Sequence, residues 1–332
     1  MIISKTPFRI SFFGGGTDYP VWFKENGGSV LVTSIDKYCY ISSRYLPPFF
    51  EYKSRILYSQ VETINKIEDI KHPSVRECLE FMKIKKGMEI HHDADLPART
   101  GLGSSSSFTV GLLNTLNALK GKIISQNQLA KDAIHVEQNL LKENVGCQDQ
   151  IAATYGGFNL IEFKDGQENF RVYPITIKSE RLTLFHSHLM LIFTGFSRIA
   201  SEIAKELVQT THQRKKELKI IHQMVNEGLK ILSGNGNILE FGKLLHESWK
   251  IKRGLTSKIT TPAIDEIYSE ALKAGAKGGK LLGAGGGGFV LLFAEPAVQP
   301  KIKARLKKFL HVPFQFENSG SQIIFYKEDQ YK

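Results

Sequence analysis

The stretch DLPARTGLGSSSSFTVGLLNTLNAL, Asp95 to Leu119, constrains the fold more than any other part of the chain. Two glycines and four serines stand directly before a nearly uncharged, leucine-rich run. The run predicts a helix over 105–119, and a helix with no charged face belongs at the centre of a fold. The first amides of a helix have no internal partners. One serine is enough to cap them. Four serines behind Gly101, Leu102 and Gly103 exceed that need. The glycines let the backbone turn tightly and approach a ligand, and the helix start offers amides and a dipole to an anion. Phosphate cradle and plain serine cap are the two readings. No lysine follows the glycines, so this is not a Walker A loop.

The chain has 332 residues and a 42% hydrophobic fraction, enough for two cores. A strand is expected over Thr6–Phe13, with Arg9, Ser11 and Phe13 on one face and Phe8, Ile10 and Phe12 on the other. Further strands are expected over 29–35 and 37–45, a loop or short strand over 91–99, and a second helix over 126–142. GGFNLIEF reads as a strand, and a first domain (1–180) closes soon after it. The second (181–332) opens on a strand at 189–195 and runs through several helices. It then carries GGKLLGAGGGGFVLLF, a glycine turn feeding an apolar strand, and ends on SQIIFY. Strands and helices mix without regular βαβ spacing, which favours an α+β fold over a doubly wound sheet.

Formal net charge is +11. Basic density peaks near Lys301–Lys308 and at HQRKKELK, both in expected surface helices, and no aromatic stripe accompanies them. Nucleic acid is therefore not the expected partner; a small anionic substrate is. No apolar run approaches membrane-spanning length. The three cysteines are odd in number and widely spaced, which suits free thiols in a reducing compartment. With no apolar leader at the N-terminus, the expected place is the cytoplasm.

Three charged residues interrupt apolar surroundings. Glu137 shares a helix face with Ala130, Ala133 and Leu141. It needs a partner there, either a salt bridge or a hard cation. Asp149 sits in the GCQDQ turn, as a helix cap or as a base. Arg9 lies on the opening strand, as an edge charge or as a phosphoryl-stabilising cation.

PFRISFFGGGTDYP (Pro7–Pro20), PARTGLGSSSS (Pro97–Ser107) and KLLGAGGGGFVLLF (Lys280–Phe293) follow one another in the chain. In that order they resemble the three motifs of the GHMP kinases, the family of galactokinase, homoserine kinase, mevalonate kinase and phosphomevalonate kinase. The resemblance covers nearly the whole chain. It implies a two-domain GHMP-kinase-like fold with the active site in the cleft between domains, and ATP and Mg²⁺ as cofactors. It implies nucleotide binding by Gly101, Leu102, Gly103, Ser104, Ser105, Ser106 and Ser107, and metal binding by Glu137 with Ser105 or, as the alternative, Ser104. Asp149 would take the proton of the acceptor hydroxyl, and Arg9 would stand beside the phosphoryl group in transfer.

Thr17, Asp18, Arg99 and Gly285 would surround the acceptor, with a turn-stabilising role open for Asp18. Galactokinase-like chains carry Glu-His where this one has Gly15-Gly16, so simple galactose selectivity is not expected. Arg99 suits an acceptor that already carries a phosphate and suits equally a pairing with a carboxylate across the fold; Arg44, Arg198 and Lys280 are the other candidates for that phosphate. The activity the resemblance implies is phosphorylation of the anomeric hydroxyl of a phosphorylated seven-carbon sugar. The rivals are another sugar-1-kinase, for fucose or an unphosphorylated heptose, and a non-catalytic sugar or nucleotide sensor. Retention of Arg9, Glu137 and Asp149 favours an enzyme.

Overall fold

Aromatic and β-branched residues crowd the first 45 positions. In the computed structural model they form two long antiparallel strands, β1 (Ile2–Phe13) and β2 (Gly28–Tyr45). The structure describes residues 1–164, 170–195 and 200–328. The two strands expected over 29–35 and 37–45 are one. A register shift opposite the polar Asp36–Lys37 step, between Pro7 and Phe8, lets the ladder run through it.

The first sheet adds β3 (Ser54–Leu57), β4 (Val61–Ile64), β5 (Met88–Ala94), β6 (Phe158–Phe163) and β7 (Phe170–Pro174). Residues 39–45 of β2 pair with β5 and residues 28–33 with β6, so one long strand serves both ends of the sheet. The second sheet holds β8 (Leu189–Phe193), β9 (Gly278–Leu281), β10 (Phe289–Phe293) and β11 (Leu310–Val312), all antiparallel in the order β11-β8-β10-β9. Then β12 (Phe316–Glu317) returns to β2 and β13 (Gln322–Tyr326) to β1. The segment 181–332 thus supplies the second sheet but gives its last two strands to the first.

The helix expected over 105–119 runs from Ser104 to Leu119 and lies across β1 and β2. Ser4 Oγ donates to the carbonyl of Gly111 at its middle (3.0 Å). With no side chain at Gly111, helix and sheet come close enough for that bond. The helix expected over 126–142 is regular only over Gln126–His135. A π turn, Val136–Leu140, follows and carries Glu137.

β1 is covered on both faces. Phe8, Ile10 and Phe12 are buried, and so are Arg9 and Ser11. A second register shift, between Ser11 and Phe13, breaks the strict alternation. Phe12 and Phe13 therefore both reach Phe241, at centroid distances of 5.5 and 5.0 Å. Phe241, on the helix Leu239–Arg253, also meets Phe185 (4.7 Å) and Phe293 (5.9 Å). This aromatic cluster joins the first sheet to the second half of the chain. Among the described residues no helix is long and apolar enough to cross a membrane. Cys39, Cys78 and Cys147 are free and buried.

Candidate active site

The serine turn is tied down from two sides. The Arg9 amide donates to Leu102 O (3.0 Å), which fastens the turn to β1. Gly283, in the C-terminal glycine run, stacks on Gly101. A β-carbon on either residue would overlap the backbone of the other segment, so both positions require glycine. Gly103, in the left-handed region at φ 77°, caps the helix without a side chain.

The four serines divide their work. Ser104 Oγ accepts from the Arg99 amide (3.1 Å), Ser106 Oγ donates to Glu137 Oε2 (2.8 Å), and Ser107 Oγ donates to Pro7 O (2.9 Å). Ser105 is exposed on the turn. The serine bonded to Glu137 is thus Ser106, whereas the sequence pointed to Ser105 or Ser104 as its companion.

Asp149 is not a helix cap. The helix Gln148–Tyr155 is capped at Cys147, and Asp149 lies in its first turn. Successive helical residues point about 100° apart, so three neighbours reach three different side chains, two on β1 and one on the π turn. Gln148 Oε1 accepts from Ser11 Oγ (2.8 Å), Asp149 meets Arg9, and Gln150 Nε2 donates to Glu137. The Arg9–Asp149 pair is bidentate: Nε to Oδ1 at 2.8 Å and Nη2 to Oδ2 at 2.7 Å. Arg9 Nη1 donates to Gly101 O (2.7 Å). The arginine side chain is 3% exposed and the aspartate side chain 25%, so the carboxylate faces outward and the guanidinium braces it from behind.

Glu137 is fully buried and accepts from Ser106 and Gln150 through Oε2. Burial pushes its carboxyl up to about 7; the charge of Glu143 adds to the rise, and the bonds from Ser106 and Gln150 oppose it. Its Oε1 has no hydrogen-bond partner. A buried, unpartnered carboxylate oxygen beside a phosphate-type turn fits a hard cation. Mg²⁺ is commonly held by one or two carboxylates plus substrate phosphates.

Thr17, Asp18 and Gly285, expected around the acceptor, are engaged within the fold. Thr17 Oγ1 donates to Gly14 O (2.8 Å) and Ser29 O (2.9 Å) inside the glycine turn. The Asp18 carboxylate accepts from the amides of Gly16 (2.9 Å) and Gln148 (3.4 Å) and is 1% exposed. Its place is the turn-stabilising one. Burial raises its carboxyl to about 6, the Gly16 amide opposes this, and the charge of Asp149 adds to it.

Gly285 packs against Ile259. Arg99 is exposed, and its charge acts on Glu143 and His72, on the Glu137 side of the turn. Arg44 is paired with Glu89. Lys280 is buried and donates to Ser11 O (3.0 Å) and Phe12 O (2.8 Å), the carbonyls at the register shift of β1. Arg198 lies outside the described residues. A cavity of about 380 Å³ beside Tyr155, Asn159, Ile175 and Asn318 sits at the far end of the Asp149 helix and contains none of these groups.

Sequence reasoning missed Gln148, Gln150 and Lys252. Gln148, half-buried, and Gln150, buried, flank Asp149 in the first turn of its helix, and burial of the Gln150 amide is what demands its partner. Lys252 left no signal: it closes a helix with other basic residues, where cations are common.

Residues 71–157 match the family described as "GHMP kinases N terminal domain", and residues 227–312 match "GHMP kinases C terminal". The chain is a GHMP kinase. It is 27% identical over 321 residues to a D-glycero-alpha-D-manno-heptose 7-phosphate kinase from Campylobacter jejuni, covering 92% of this chain and 93% of that one. It is 25% identical to a bifunctional fucokinase/GDP-fucose pyrophosphorylase of Arabidopsis thaliana, over 92% of this chain and 31% of that longer protein. A solved D-glycero-D-manno-heptose 1-phosphate kinase from Bacteriodes thetaiotaomicron shares the fold at a TM-score of 0.73 and 23% identity, covering 99% of this chain and 100% of that one. As a GHMP kinase the chain is an ATP-dependent phosphotransferase.

Proposed function

We propose that this GHMP kinase, with Mg²⁺, transfers the γ-phosphoryl group of ATP to the anomeric hydroxyl of D-glycero-D-manno-heptose 7-phosphate, giving the 1,7-bisphosphate. The observation that carries the choice of acceptor is the end-to-end similarity to the Campylobacter jejuni kinase of that name, 92% of one chain against 93% of the other. A partly exposed carboxylate braced by a buried arginine beneath a serine turn supports the chemistry.

In this reading the amides of Gly101–Ser107 hold the ATP phosphates, as a helix start holds an anion. Glu137 holds Mg²⁺ through its free oxygen, with Ser105 and Ser106 beside it. Bound there, the metal neutralises phosphate charge. Asp149 accepts the proton of the acceptor hydroxyl as the oxygen attacks phosphorus, the bond to the β-phosphate oxygen breaks, and ADP leaves. Arg9 fixes the direction of that carboxylate and keeps part of its donor set for phosphoryl oxygens. Arg99, on the Glu137 side of the turn, belongs with the nucleotide phosphates rather than with the phosphate of the acceptor.

The deciding experiment is a panel of heptose 7-phosphate, unphosphorylated heptose, fucose and galactose with ATP and Mg²⁺. The expected result is the highest kcat/KM for heptose 7-phosphate, with product phosphorylated at the anomeric carbon. Preference for an unphosphorylated sugar would overturn the choice of acceptor.

A further inference from the structure

Lys252 stands near the end of the helix Leu239–Arg253, and its Nζ donates to Gly283 O at 2.6 Å. Gly283 stacks on Gly101, and the carbonyl of Gly101 takes Arg9 Nη1 at 2.7 Å. A lysine from the second half of the chain and an arginine from the first thus converge on the same glycine contact. The charges acting on Lys252 are those of Arg9, Asp18 and Asp149. Lys252 in turn acts on buried Lys280.

Three cations therefore meet two carboxylates here, and the partners are unevenly shared. Arg9 holds Asp149, Asp18 is spent on backbone amides, and Lys280 is spent on two carbonyls. Among the described residues no carboxylate pairs with Lys252. An ammonium has three donors, and one carbonyl occupies one of them. Burial, then the charge of Arg9, pulls this lysine down to about 8. A half-buried cation beside another cation is costly without an anion. The missing charge is negative, and it belongs between Lys252 and Arg9.

We propose that Lys252 takes an oxygen of the phosphoryl group in transfer, adding positive charge from the second half of the chain to that of Arg9 from the first. The inference rests on placing the acceptor hydroxyl at Asp149, not on which sugar carries it. A phosphate already on the acceptor would sit at the opposite end of a seven-carbon sugar. A cation that feels Asp149 and Arg9 and abuts the serine turn lies at the reacting end. Charge spread over the phosphoryl oxygens in the transition state is what such a cation would stabilise.

The test uses the full chain with Lys252→Met and Lys252→Arg, assayed on any sugar the parent phosphorylates. Turnover, both KM values and Tm are measured, together with affinity for ADP with and without aluminium fluoride in the presence of Mg²⁺. A charge-assisted bond predicts about a tenfold to hundredfold fall in kcat for Lys252→Met, with both KM values within about threefold of the parent. The extra affinity conferred by aluminium fluoride should fall by a similar factor while affinity for ADP alone is kept, and Lys252→Arg should recover part of both.

A rise in KM confined to phosphorylated sugars, with kcat kept, would overturn the proposal in favour of acceptor recognition. Joint loss of Tm and ADP binding in both variants would reduce the lysine to a brace for Gly283. Unchanged kcat would remove it from the reaction. If Asp149→Asn turns over normally while Lys252→Met does not, the placement of the acceptor fails and the phosphoryl contact stands.

Discussion

Arg9 holds Asp149 with two nearly parallel hydrogen bonds, 2.8 Å from Nε and 2.7 Å from Nη2, across 140 residues of chain. The pairing fixes the carboxylate in two dimensions, as only a guanidinium fork can. If both residues serve one transition state, Arg9→Met and Asp149→Asn should each lower kcat, and the double variant should lose less than the sum. Residues in direct contact show coupling of about 0.5–3 kcal/mol. Strict additivity in a kcat double-mutant cycle would mean that the two act independently. Arg9→Met should also lower Tm, because it leaves the Gly101 carbonyl and the carboxylate without their donor.

Glu137→Gln keeps the side chain's size and its acceptor for Ser106 but removes the charge offered by Oε1. The Mg²⁺ concentration for half-maximal rate should rise at least roughly tenfold, the scale at which even outer partners of a metal ligand act. High Mg²⁺ should restore much of the rate. Ser106→Ala should shift the titration less, since it removes one hydrogen bond and no charge. An unchanged Mg²⁺ titration in Glu137→Gln would contradict the metal assignment.

Asp18 ties stability to pH in a direction its burial dictates. Its carboxyl stands at about 6 in the fold against an ordinary 3.8. Between those values the folded chain binds more protons than the unfolded one, so this contribution is full below about pH 4 and is lost as pH rises through about 6. Asp18→Asn does not titrate. The stability difference between variant and parent should therefore move in the variant's favour from pH 4 to pH 7, by up to about 3 kcal/mol for a two-unit shift. Unfolding curves at both ends of that range check this, and a constant difference would contradict it.

The serine turn, its helix and the α+β class were legible because glycine, serine and leucine patterns act locally. The single long β2 was not, because its continuity depends on a register shift in its partner, β1. The return of β12 and β13 to the first sheet was not legible, since short terminal strands carry no mark of which sheet they join. The apolar face of Glu137 was readable, but the π turn that carries it was not. Thr17 and Asp18 were placed at the acceptor by the family resemblance, with a turn-stabilising role open for Asp18. The fold uses their polar atoms to close the turn, where Gly146 packs against the Asp18 carboxylate. Lys252 is legible only in three dimensions, where it meets the glycine run, and only there is Lys280 seen to hold the carbonyls of β1.

The most direct test of the account is turnover and ATP affinity of Asp149→Asn, checked for folding by its Tm. The substitution keeps an acceptor oxygen for Arg9 and removes the basicity assigned to the carboxylate. General-base catalysis contributes roughly 10²–10⁴-fold. The account predicts a folded protein whose ATP affinity is near that of the parent and whose kcat is lower by about a hundredfold or more. A folded Asp149→Asn variant with near-parental kcat would contradict it.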